Sequence, residues 1–113
     1  VGEVGAFPST RKSRELLMAL GFAVTHVSSA DAALGALANA RNIDVVVSDV
    51  MMPGGVSGLQ LAREIHQPHP NLPIILTTGY IEAVADMRDG EFALLMKPFS
   101  REGLADVLGV AVP

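Results

Sequence analysis

The stretch Ile43-Asp44-Val45-Val46-Val47-Ser48-Asp49, followed directly by Val50-Met51-Met52-Pro53-Gly54-Gly55, decides the fold. Its β-branched run reads as a strand. Val45, Val46 and Val47 show no polar alternation, so both faces of that strand are covered, as in the middle of a parallel sheet. Pro53-Gly54-Gly55 forms a turn. Asp49 ends the strand, and the crevice outside the carboxyl ends of the strands is where open α/β sheets place their chemistry. A carboxylate there is costly to desolvate unless something pairs with it.

Outward from this strand, helical and extended patterns alternate. Val1 to Phe7 reads as a short strand interrupted by Gly2 and Gly5. Ser9 or Thr10 can cap a helix that runs to Leu20, with Leu16, Leu17 and Leu20 on one face, and Gly21 ends it. Phe22 to Val27 is a second strand, and Ser29 caps a second helix, Ala30 to Ala40. A third helix spans about Ser57 to His66, with Leu59, Ala62 and Ile65 facing inward. Pro68, Pro70 and Pro73 block its continuation. Ile74 to Thr77 is a fourth strand ending at Thr78-Gly79. Ile81 to Met87 reads as a weak helix and Phe92 to Met96 as a fifth strand. Lys97-Pro98-Phe99 breaks that strand, and Ser100 caps a last helix to about Leu108. Alternation of this kind predicts a mostly parallel sheet with helices on both faces, and right-handed crossovers leave few topologies.

The chain has 113 residues, half of them hydrophobic, with a formal charge of -4. That length fits one domain, residues 1–113, with enough apolar content for a core. The mild acidity argues against direct nucleic-acid binding, which needs clustered Lys and Arg. Cys is absent, which removes disulfides and thiolate metal sites and fits a cytoplasmic domain. No apolar stretch is long enough to span a bilayer, and there is no basic-then-apolar leader. The start at Val1 reads as an excerpt of something larger.

Three polar residues fall at the carboxyl ends of predicted parallel strands: Asp49, Thr78 and Lys97. A carboxylate beside a lysine can attack a phosphoryl donor. The lysine and a hydroxyl can then hold the oxygens of the product, which carries about two negative charges. A divalent cation would ordinarily bridge such a carboxylate and the phosphoryl group. Taken singly, each residue has a plainer role: Thr78 caps the following helix, Lys97 is a solvated lysine, and Met51 and Met52 fill gaps against the third helix. Asp44 reads as an exposed strand-start acid, and Arg63 and Glu64 as a solvated helical face. His26, His66 and His69 are scattered, without metal-ligand spacing.

Ser48-Asp49-Val50-Met51-Met52-Pro53-Gly54-Gly55, then Thr77-Thr78-Gly79-Tyr80, then Lys97-Pro98-Phe99-Ser100, resemble in order and spacing the receiver domain of two-component response regulators. Their wording is most similar to receivers of hybrid sensor histidine kinases. The resemblance implies a flavodoxin-like (CheY-like) three-layer sandwich with a five-stranded parallel sheet in the order 2-1-3-4-5. It implies that Asp49 accepts a phosphoryl group from a partner phosphohistidine, that Lys97 binds that group, and that Thr78 hydrogen-bonds it in the active state. Met51 would give its backbone carbonyl to Mg2+, and the Lys97-Pro98 bond would be cis. The implied partner is a histidine kinase or a histidine phosphotransfer domain, docked on the first helix with its Arg11, Lys12 and Arg14. The Tyr80 to Phe99 face would dock partners or a twin receiver as a weak homodimer. The domain would be cytoplasmic, alone or within a larger membrane-associated sensor kinase, and no catalyst beyond its own phosphorylation and dephosphorylation.

One part of the pattern is missing. Receivers carry a pair of metal-holding acids after the first strand. Aligning Leu16 to Phe22 with the family's first helix without gaps puts that pair at Val4 and Gly5; Glu3, the one acid nearby, reaches the first metal-holding position only if this loop carries one extra residue. Asp49 with a backbone carbonyl is a poor magnesium site, so weak or absent metal binding and slow or absent phosphorylation are expected. The aromatic switch position of the fifth strand falls on Leu94. Two readings therefore stand side by side: a working phosphoacceptor, and a pseudo-receiver that signals by protein contact with Asp49 and Lys97 as a structural ion pair. A flavin-binding domain of the same architecture lacks its phosphate loop after the first strand.

Overall fold

The structure, a computed structural model, describes residues 3–6, 11–26, 30–39, 43–51, 57–85, 87–88 and 90–109. Five strands, β1 (Glu3–Ala6), β2 (Ala23–His26), β3 (Ile43–Asp49), β4 (Ile74–Thr78) and β5 (Ala93–Met96), form one parallel sheet in the order β2-β1-β3-β4-β5. The helices α1 (Arg11–Ala19), α2 (Ala30–Asn39), α3 (Gly58–His66) and α4 (Arg101–Leu108) alternate with the strands.

The valine run of β3 explains the layering. Successive strand side chains point to opposite faces. Val46 packs with Ala33 and Leu37 of α2 and with Leu59, Leu61, Ala62 and Ile65 of α3. Val45 and Val47 pack with Leu17 and Leu20 at α1 and with Leu104 and Ala105 of α4. Both sides are dry, with Val46 and Val47 at 0% exposure. β4 repeats the alternation: Ile74 and Leu76 join the α2/α3 side, and Ile75 the α1/α4 side. Truncating Leu61 or Leu76, each fully buried, to alanine costs about 2–5 kcal/mol.

Local signals set the element ends. Ser57 Oγ accepts from the Leu59 N–H at 3.1 Å and starts α3, and Ser100 Oγ accepts from the Gly103 N–H at 3.1 Å and starts α4. Each satisfies one helix-end donor that the helix cannot. Gly21, at φ 95°, turns the chain after α1 in the left-handed region that glycine enters without a Cβ clash. The segment expected as a weak helix from Ile81 to Met87 is a 3-10 turn over Ile81–Val84. Gly79 precedes it, and Tyr80 at its start gives no side-chain cap, so little local bonding favours a longer helix. Among the described residues no helix is long and apolar enough to cross a membrane.

Candidate functional site

In a parallel sheet all carboxyl ends lie on one rim. Asp49 closes β3, Thr78 closes β4, and Lys97 follows β5 directly. Lys97 Nζ lies 3.0 Å from Asp49 Oδ1, with side-chain exposures of 31% and 16%. The two residues are held there by backbone. Val50 N–H donates to Thr77 O at 2.9 Å, and Lys97 N–H donates to Thr78 O at 2.8 Å. The Lys97-Pro98 peptide bond is cis.

The hydroxyl beside Asp49 belongs to Thr77. Its Oγ1 donates to Asp49 Oδ1 at 2.5 Å. Thr78, the threonine singled out from the sequence, is engaged elsewhere: its Oγ1 accepts from the Tyr80 N–H and donates to the Tyr80 carbonyl, both at 3.1 Å. Parity explains the exchange. Asp49 pairs in register with Thr77, and Thr77 with Leu95. Counting by twos from Val47, Ile75 and Leu95, all on the α1/α4 side, Asp49, Thr77 and Lys97 fall on that side, and Thr78 on the other. Strand period applied to β3 and β4 together is the signal that finds Thr77.

Close approach of α3 also shapes this rim. Gly58 N–H donates to Val50 O at 2.6 Å. A Cβ on Gly58 would overlap the Asp49 carbonyl oxygen and lie 2.8 Å from Val50 Cα. Met51 makes an isolated bridge with Ser57, and its side chain is 65% exposed. It therefore fills no gap against α3, contrary to the reading of Met51 as packing. Met52 lies outside the described residues.

Glu3 does not belong to this rim. It opens β1 and pairs with Ile43, at the far end of the seven-residue β3 from Asp49. At ~3.3 Å per residue that separation is roughly 20 Å. Val4 and Gly5 pair with Val45 and Val46, within the sheet and short of the level of Asp49. The stretch that follows them, Ala6-Phe7-Pro8-Ser9-Thr10, contains no carboxylate whatever its placement, and neither does Met51-Met52-Pro53-Gly54-Gly55-Val56-Ser57 after β3. Among the described residues no three His, Cys, Asp or Glu side chains form a group able to hold a metal ion. Magnesium sites draw on one or two carboxylates with near-octahedral oxygen geometry. Asp49, with Oδ1 already accepting from an ammonium and a hydroxyl, does not supply that set.

Other residues gain specific partners or places in the structure. Arg63 and Glu64 lie on an exposed face of α3, as expected, and Arg63 there pairs with Glu91, Nε to Oε2 at 2.6 Å and Nη2 to Oε1 at 3.0 Å. Those hydrogen bonds, followed by one from the Arg88 N–H, hold the Glu91 carboxyl down to about 2. Arg11 pairs with Glu15 at 3.1 Å on exposed α1, and Arg14 contacts the His26 ring. Phe99 packs into the α1/α4 core, whereas Tyr80 is 66% exposed. Asp44 is exposed, as expected of a strand-start acid.

The family model described as "Response regulator receiver domain" matches residues 8–109. The chain is a receiver domain. It is 39% identical over 98 residues to the C4-dicarboxylate transport transcriptional regulatory protein DctD of Rhizobium meliloti, covering 83% of this chain and 21% of that protein. It is 41% identical over 66 residues to the sensor kinase CckA of Brucella abortus, covering 56% of this chain and 7% of that protein. The receiver thus spans a small part of the curated relatives it matches. Among solved structures it resembles a response regulator receiver domain protein from Clostridium thermocellum, with TM-score 0.82, 27% identity, and coverage of 96% and 92% of the two chains. The receiver domain of the hybrid histidine kinase CckA superposes with TM-score 0.73 at 25% identity, covering 96% of each chain.

Proposed function

We propose that Asp49 of this receiver accepts a phosphoryl group from a phosphohistidine on a histidine kinase or a histidine phosphotransfer domain. The observation that carries this reading is the Asp49 carboxylate at the sheet rim with the Lys97 ammonium 3.0 Å away. In the transfer an Asp49 oxygen forms a bond to phosphorus as the N–P bond of the phosphoimidazole breaks. The imidazole keeps the electron pair and takes a proton from solvent. Lys97 then counters the charge of the new acyl phosphate. The domain works on the cytoplasmic side, and its fixed charges at Arg11 and Arg14 face an acidic partner surface. Alanine at both sites slows association more at low salt than at high salt. Tyr80 is the exposed aromatic available for contact with an output partner or a second receiver; Phe99, packed inward, is not.

The test is incubation with acetyl phosphate and magnesium. The expected result is an added phosphoryl mass that vanishes in Asp49→Asn. A chain that never gains the mass refutes the phosphoacceptor reading.

A second reading rests on the absence of carboxylates from the sequence that follows β1 and from the sequence that follows β3. Without a tight magnesium site, Lys97 is the local cation for Asp49, and transfer is slow. If transfer is absent, the domain serves as a pseudo-receiver that signals by contact, with Asp49 and Lys97 as its internal ion pair.

A further inference from the structure

Both described donors to Asp49 reach the same oxygen. Thr77 Oγ1 and Lys97 Nζ each contact Oδ1, at 2.5 and 3.0 Å. Among the described residues no donor reaches Oδ2. The two donors also differ in kind. Thr77 is 1% exposed, in the middle of the rim, on a strand bonded to both β3 and β5. Its β-branched side chain has a restricted χ1. Lys97 is 31% exposed on a four-carbon stem, and an ammonium has no directional fork to hold it in place.

We infer that Thr77 is a positioning residue that fixes Oδ1 of Asp49 as the anchored oxygen and leaves Oδ2 as the one that takes the phosphoryl group. This inference rests on the phosphoacceptor reading above. With an acyl phosphate donor, the Oδ2–P bond forms while the P–O bond to the acyl group breaks. The carboxylate of the donor departs with the electron pair, and no proton moves. Oδ1 becomes the carbonyl oxygen of a mixed anhydride. A neutral carbonyl still accepts the Thr77 hydroxyl, but its hold on an ammonium is weaker. Lys97 is then released to the new phosphoryl oxygens while Thr77 stays where it is. A rigid donor orients the nucleophile and a mobile cation follows the charge.

The test compares wild type with Thr77→Val and Thr77→Ser, each checked for a cooperative thermal transition, using acetyl phosphate and intact-mass detection. Valine keeps the buried shape and removes the donor; serine keeps the donor. The expected result is a labelling rate at saturating acetyl phosphate about ten-fold lower in Thr77→Val, or ~1.4 kcal/mol of barrier. The half-saturating concentration is unchanged, and Thr77→Ser recovers most of the rate. A general structural role for residue 77 would not separate the plateau rate from half-saturation, nor valine from serine. Equal rates in wild type and Thr77→Val overturn the Thr77 role and leave Asp49 as acceptor. A wild-type domain that takes no label overturns both.

Discussion

Lys97 Nζ meets Asp49 Oδ1 at 3.0 Å across an intervening strand: Asp49 ends β3, Lys97 follows β5, and β4 lies between them. The lysine stem spans that gap, and Thr77 of β4 donates to the same oxygen from within it. The site is therefore a product of strand order as much as of residue type.

Lys97→Met removes the ammonium and keeps most of the stem. Breaking a fully buried pair by removing one partner costs about 3–5 kcal/mol, but these side chains are 31% and 16% exposed. Solvent screens the loss, so the expected destabilisation is about 1 kcal/mol. Urea unfolding checks it. A loss above about 3 kcal/mol would show that the pair behaves as a dry one.

Gly58→Ala places a Cβ against the Asp49 carbonyl oxygen and 2.8 Å from Val50 Cα. Both neighbours are backbone, so α3 or the end of β3 must shift. The expected cost is at least about 1–3 kcal/mol. Thermal unfolding reads the cost, and amide shifts at residues 49 and 50 read the displacement. A variant as stable as wild type, with those shifts unmoved, contradicts the packing described.

Magnesium is expected to bind weakly. Titration to millimolar concentration, followed by amide shifts, should show no saturable change centred on Asp49, because one carboxylate already shared by Lys97 and Thr77 is a poor donor set. Saturation at micromolar magnesium, abolished in Asp49→Asn, would restore the metal-dependent reading.

Glu91 gives the stability a pH signature. Its carboxyl is lowered from an ordinary 4.5 to about 2, chiefly by the Arg63 hydrogen bonds. A lowered acid binds protons more weakly when folded than when unfolded, so its contribution is fully present above pH 4.5. It is lost as pH falls from there toward 2. Arg63→Ala should flatten stability over that acidic window and change its shape little near neutrality. Denaturant midpoints from pH 2 to 7 check this; parallel curves for wild type and variant would contradict it.

Much of the architecture was legible in the chain. Ile43 to Asp49 shows a central strand because the consecutive valines 45–47 put apolar side chains on both of its faces. Ser57 and Ser100 show helix starts because a hydroxyl before a helical pattern has a local bond to make. Local chemistry of that kind acts within a few residues and is visible in order along the chain. The 3-10 turn at Ile81–Val84 was less legible, because a segment with weak propensity takes its form from its surroundings.

The residues themselves determined an alternating α/β chain with an acid and a lysine at strand ends. Tertiary structure alone decided which threonine meets Asp49, that Glu3 lines up with Ile43 at the far end of β3, and that Arg63 finds Glu91. Each of these depends on register and facing between strands or helices distant in sequence. In a sheet of period two, a shift of one residue sends a side chain to the opposite layer. Neighbouring threonines that look equivalent in the chain thus come to different tasks, one turned to the carboxylate and one folded back on Tyr80.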